Sequence, residues 1–468
     1  MSAKVRVPGI VAALAAVTYL VLLLVHPAWA QIRPLPLVGV AWIAFAAAVW
    51  LLRGLSGRWT VGLILLGGIA LQVAALTTPP QQSTDMYRYV WDGRVQAAGI
   101  DPYAYAPAAP QLTSLRDQFL WPADGHYCVR PGVREPGQTT LNLAPGCTKI
   151  NRPGVPTIYP PVAEAYFYAV DQLSPAGSGT TPMQAAAAAC ALLITIGLLF
   201  ALRSMGRDYW TAALWAWCPT VALEAGNNAH VDILAVGLTL AALLVLAKAG
   251  RPRRTVLGGV LLGLAIATKV TPVLVAPSVL RRRWAAVSAA TAGAVAVVYL
   301  PHVLAVGSKV IGYLPGYLNE EGYSSGHRFA LIGLVVGGRM AILAAVALLG
   351  VAGLAVLRFS DPDQPWRGAV VMTGAALAIT TPPMQWYALL LVMLVALDGR
   401  AEWLAFSAAG YMAAEPQMGQ FTMPDSPAVG YGLAVGLVAA VWLGRRVVSH
   451  RPYQVLTARP AMLRATPQ

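Results

Sequence analysis

The residues best able to do chemistry fall in two polar stretches. The first runs Thr84-Asp85-Met86-Tyr87-Arg88-Tyr89-Val90-Trp91-Asp92-Gly93-Arg94 and continues as Gly99-Ile100-Asp101-Pro102-Tyr103. On a helix over 84–98, Asp85, Arg88 and Asp92 share one face, with Arg88 and Asp92 at i,i+4. A carboxylate in this position can take a proton from a hydroxyl. The bland reading is a solvated helix with internal ion pairs. The second stretch is Tyr317-Leu318-Asn319-Glu320-Glu321-Gly322-Tyr323-Ser324-Ser325-Gly326-His327-Arg328-Phe329. Here Arg328 offers a planar fork suited to phosphate, with Glu321 and His327 beside it. The bland reading is an ordinary polar loop.

The elements that position these stretches are set by composition. Of 468 residues, 57% are hydrophobic and 11% charged, and the mean hydropathy is +0.60. Soluble proteins carry about 25% charged residues. The apolar residues fall in blocks about 15–20 long, the length that spans a bilayer. The sequence therefore predicts an all-α, polytopic transmembrane helix bundle of about 12–14 spans, forming one domain over 1–468. The net charge of +14 does not point to nucleic acid, because the basic residues cluster at the ends of apolar blocks rather than along an aromatic-studded stripe.

That charge bias orients the chain. Lys4 and Arg6 precede the first block, and Arg445, Arg446 and the tail 447–468 follow the last, so both termini are expected in the cytoplasm of a multi-pass cell-membrane protein. Segments 78–180 and 304–339 are expected outside, as extracytoplasmic loops. Ala28-Trp29-Ala30 resembles a signal cleavage site, but a second apolar block starts almost at once, so 9–25 reads as a retained span. Blocks 210–225 and 231–247 read as a hairpin. The stretch 255–280 lies between two basic clusters and so reads as two short helices broken around Lys269 and Pro272.

Lys269 sits at that bend, on the expected outer side. An intramembrane cation is costly, so it reads either as a partner for a phosphate anion or as one half of a salt bridge. Glu224, Asn227, Asn228, His230 and Asp232 fall at the outer turn of the hairpin, where ionisable groups are usually functional and the bland reading is a wet loop. Cys128 and Cys147 share the first loop, which favours a disulfide closing it, the alternative being two free thiols. No cofactor is called for, and no metal-ligand spacing is present.

Taken together, Asp85–Gly93 and Gly99–Tyr103 resemble the first-loop signature of bacterial GT-C glycosyltransferases, most closely the polyprenol-phosphomannose-dependent α-mannosyltransferases of the actinobacterial envelope. Thr157-Ile158-Tyr159-Pro160-Pro161, Gly263-Leu264-Ala265 with Lys269, and the Gly322–Phe329 loop are similar to later features of that family. The resemblance implies an enzyme that takes a sugar, mannose foremost, from a polyprenyl-phosphate donor on the outer face of the bilayer. It would pass that sugar with inversion to a glycan or glycolipid acceptor. Asp85 matches the family's general base. The family's common pair of acids one residue apart is absent, and the nearest second acid is Asp92. Arg88, Trp91, Asp92, Tyr159, Lys269, Glu321, His327 and Arg328 are the expected substrate-binding residues, with Tyr87 and Trp386 as further rings for sugar or lipid. Arabinosyl transfer, a lipid-linked sugar transporter or flippase, and a non-catalytic assembly partner remain as alternatives.

Overall fold

The computed structural model describes residues 3–27, 34–55, 57–121, 148–248, 252–414 and 425–449. Within them the chain is a bundle of α-helices without a strand. Three apolar helices open it, α1 (Ala3–Val25), α2 (Pro34–Leu52) and α3 (Gly57–Ala75). Two amphipathic helices of the first polar connection follow, α4 (Asp85–Ala97) and α5 (Pro161–Leu173). The bundle continues with α6 (Thr181–Ser204), α7 (Asp232–Ala247), α8 (Pro252–Ile266) and α9 (Trp284–Val306). The second polar connection carries α10 (Leu314–Glu320). The chain then runs through α11 (Gly338–Phe359), α12 (Pro365–Thr380), α13 (Leu389–Asp398), α14 (Ala405–Ala414) and α15 (Ser426–Ser449).

This is a multi-pass membrane protein. Seven described segments are long and apolar enough to cross a bilayer, or eight if one bent pair counts as a span. That is fewer full-length spans than the 12–14 expected from the apolar blocks. The difference has a local cause. Several blocks fold as short helices joined to tight turns rather than as continuous α-helix. Block 210–225 becomes a 3-10 turn, a single helical turn and a π-helix at Val221–Asn227, which meets α7 at a bend of 115°. Block 271–280 likewise becomes a 3-10 turn and one helical turn around Pro272.

The bundle is graded from core to lipid. Every residue of α13 is buried, so this helix runs through the centre. In α9 only Val287 is buried, and side chains such as Leu304 face outward, as expected of a helix in hydrocarbon. α8 and α9 approach closely because Gly259 and Gly263 present no side chain at the seam. A Cβ on Gly259 would lie 2.7 Å from Ala290 Cβ, and one on Gly263 would lie 2.5 Å from the Thr291 carbonyl oxygen. Small residues four apart allow this contact, and close packing is what drives helix association in lipid.

The two polar connections meet on one side of the bundle. The Tyr313 N–H donates to the Thr157 carbonyl, and Arg152 pairs with Glu320 at 2.7 Å. The chemistry-bearing stretches are thereby brought together at one end of the helices.

Candidate functional site

Asp85 is placed by a buried polar network below it. Asn227 ends the π-helix, where its amide donates to the carbonyls of Ala75 and Thr78 and its oxygen accepts from the Gln81 N–H. Asn228 accepts from the Gln82 N–H, and Gln184 donates to the carbonyls of Thr78 and Asn227. In a low-dielectric interior each of these bonds is costly to lose. Together they fix the segment that leads from α3 into α4. Asp85 is the first residue of α4, where a carboxylate is also favoured by the helix dipole.

Three α4 side chains then follow along one face. Asp85 Oδ1 accepts from Asn151 Nδ2 at 2.5 Å. Arg88 Nε donates to both Asp92 oxygens, at 2.9 and 3.0 Å, and its Nη1 donates to the Val155 carbonyl. Arg88 Nη2 is buried without a hydrogen-bond partner among the described residues. Asp92 lies deeper, beside Glu164 of α5, which accepts from the Thr157 hydroxyl at 2.7 Å and from the Gln96 amide. Burial pushes the carboxyls of Asp92 and Glu164 above their ordinary range. The Arg88 guanidinium holds Asp92 back in part, while the Asp92 charge raises Glu164 further. Asp92 thus anchors Arg88 from behind.

A cavity of about 470 Å³ opens in front of this face. Asp85, Arg88, Tyr159, Lys269 and Arg328, all expected from the sequence, line it together with Trp386. Lys269 pairs with Asp232 at 3.1 Å and lies over the rings of Tyr159 and Tyr387. Arg328 is held by Glu321 at 2.6 Å, and its carbonyl accepts from the Thr381 hydroxyl just past α12. Its Nε and Nη2 are buried without a hydrogen-bond partner among the described residues. Two guanidinium groups that line one cavity thus each keep buried N–H donors without a partner among the described residues, and a guanidinium fork is suited to an anion. The rest of the wall is largely apolar, with Val273, Leu274, Leu314, Leu318 and Leu377 among its residues.

The other expected residues lie elsewhere. Trp91 is buried in a separate apolar cluster with Tyr87, Leu112 and Ile150, and neither ring reaches the cavity. Glu321 acts on the cavity through Arg328. His327 is exposed, with Nδ1 3.2 Å from the Ser325 hydroxyl. Cys128 and Cys147 lie outside the described residues. Among those described, no three His, Cys, Asp or Glu side chains are grouped to hold a metal ion.

Sequence reasoning missed several members of the site. Asn151 and Arg152 line the cavity, as do Tyr317 and Tyr387, whose hydroxyls meet at 2.6 Å. Glu164, fully buried beside Asp92, is another. Glu224, His230 and Asp232, expected at a wet turn, are almost fully buried. The one available signal was their density: four polar side chains and a histidine within nine residues of an otherwise apolar block.

No curated protein and no solved structure matches the chain. Residues 157–383 match the model of glycosyltransferase family 87, a stretch that carries Tyr159, Lys269 and Arg328, and this match indicates a membrane glycosyltransferase.

Proposed function

We propose that the protein transfers a sugar from a polyprenyl-phosphate carrier to a hydroxyl of an envelope glycan or glycolipid, with inversion at the anomeric carbon. Asp85 is the general base. The acceptor oxygen attacks the anomeric carbon from one face while the bond to the phosphate oxygen breaks on the other. The hydroxyl proton passes to Asp85, and the bonding electron pair leaves with the polyprenyl phosphate. Mannose is the donor sugar that the first-loop resemblance implies. The active site faces the outside of the cell, with both chain ends in the cytoplasm, in keeping with the placement of basic residues.

The observation that carries this reading is one cavity that joins a carboxylate at Asp85 to three cations, Arg88, Lys269 and Arg328. Positive groups preorganised where negative charge grows on a leaving phosphate lower the barrier. The apolar wall supports a lipid-borne donor: Val270, Val273, Leu314 and Leu318 line the cavity and are exposed.

The test is release of polyprenyl phosphate from polyprenyl-phosphate-mannose by purified protein with a membrane acceptor extract, for wild type and Asp85→Asn. Wild-type release that is lost in a folded Asp85→Asn variant supports donor class and base together. Equal release from both overturns Asp85 as base. Release from the arabinose-linked donor alone overturns mannose. Movement of the donor across vesicles without cleavage would make the protein a transporter.

A further inference from the structure

His230 stands between two carboxylates and belongs to neither polar connection. It follows the π-helix Val221–Asn227 and precedes α7, and its side chain is fully buried. Nδ1 lies 3.7 Å from Asp85 Oδ2, and Nε2 lies 3.4 Å from Glu224 Oε2. The ring is stacked on Trp386, with centroids 3.9 Å apart and planes at 23°. Neither ring nitrogen has a hydrogen-bond partner among the described residues.

The surrounding backbone is shaped to hold the ring there. The His230 N–H donates to the Glu224 carbonyl at 3.0 Å, and the preceding Ala229 takes φ 50°. Left-handed backbone is unfavourable for alanine and persists only where its surroundings enforce it. The Glu224 carboxylate is fixed in turn, accepting from Asn228 at 3.0 Å and from the Tyr411 hydroxyl at 3.3 Å. The other ionisable groups coupled to Asp85 are Lys269, itself paired with Asp232, Arg152, Tyr159, and Tyr89 from α4, which also feels the charge of Asp232.

An imidazole offers one ring nitrogen toward each of two facing groups. We infer that His230, fixed by Glu224 on one side, is the positioning residue for Asp85 on the other, keeping that carboxylate aimed into the cavity. The inference rests on the reading of Asp85 as general base. His230 touches neither donor nor acceptor and acts through Asp85. The logic is that of an orienting acid, an imidazole and a reacting group in line, with the reacting group here a carboxylate. A side chain locked by packing and by the groups behind it can hold a reacting carboxylate in one direction.

The experiment compares wild type with His230→Phe and His230→Asn in donor-cleavage kinetics across pH. Phenylalanine keeps the ring on Trp386 and removes both nitrogens. Asparagine keeps a neutral donor near the Nδ1 position. The Phe variant is expected to lose about 10- to 100-fold in kcat, with the donor KM within about twofold of wild type. The acid limb of its pH profile moves, because the ring nitrogen that faces Asp85 is gone. The Asn variant shows the same shift but keeps more activity. Thermal unfolding in detergent confirms that each variant is folded, and either one alone suffices to read the pH limb. Wild-type kcat and an unchanged pH limb in a folded variant overturn the inference and leave the glycosyltransferase reading intact. A wild type inert toward every polyprenyl-phosphate donor overturns both.

Discussion

Asn151 Nδ2 stands 2.5 Å from Asp85 Oδ1, across a separation of 66 residues. The carboxylate at the mouth of the cavity is thus fixed from a segment of the first connection outside α4. An amide donor sets the direction of the carboxylate it bonds. Asn151→Ala is expected to lower kcat by about tenfold with little change in thermal stability. Asn151→Asp replaces that donor with a like charge beside Asp85 and is expected to lose at least as much activity. Steady-state cleavage of the lipid-linked donor reads both effects.

Arg328 is held by Glu321 while two of its nitrogens remain unsatisfied. Lysine keeps the charge but not the planar fork. Arg328→Lys is therefore expected to raise the donor KM by about tenfold or more, in line with about 1.5–3 kcal/mol for a charge-assisted hydrogen bond. Glu321→Gln leaves Arg328 present but poorly aimed and gives a smaller increase. Titration with the polyprenyl-phosphate sugar distinguishes these from a loss in kcat alone.

Glu164 gives the protein a pH dependence of stability. Burial, with the Asp92 charge added, lifts its carboxyl well above the ordinary range. The folded chain therefore keeps a proton that the unfolded chain releases. The sign follows from linkage: this contribution is fully present below the unfolded carboxyl range, near pH 4, and is lost as pH rises through the raised value. Glu164→Gln retains an acceptor for the Thr157 hydroxyl and removes the titrating proton. Its thermal midpoint in detergent is expected to vary less between pH 4 and 8, and to equal or exceed wild type at the upper end.

Gly93 is where α4 and α5 come closest. A Cβ there would lie 2.6 Å from the Phe167 carbonyl oxygen, and backbone cannot swing aside as a side chain can. Gly93→Ala is expected to force α4 away from α5 at a cost of about 1–3 kcal/mol. Because α4 carries Asp85 and Arg88, activity falls with the thermal midpoint. A matched change at Gly99, where an added Cβ meets nothing within 4 Å but φ is +76°, separates strain from packing: Gly99→Asn, which tolerates left-handed backbone, leaves activity near wild type.

The sequence by itself determined that the chain is a helical membrane bundle. It also singled out Asp85, Arg88, Tyr159, Lys269 and Arg328, five side chains that share one cavity. The bundle was legible because hydropathy over a span-length window reports the environment each segment prefers, the four charged residues because a charge is conspicuous in a chain with so few, and Tyr159 because it lies in a stretch that resembles a known family. Tertiary structure alone decided the rest. Asn151 on Asp85, His230 on Asp85, and Asp232 on Lys269 join residues 37 to 145 positions apart. Local pattern carries no signal for such pairs. Trp91 and Asp92 went the other way: their types suited a binding site, and packing of α4 against α5 and the rest of the first connection turned them inward. The same limit explains the span count. An apolar block of 15 residues reads alike as one helix or as a turn and a short helix, and only the neighbours that satisfy its backbone decide between them.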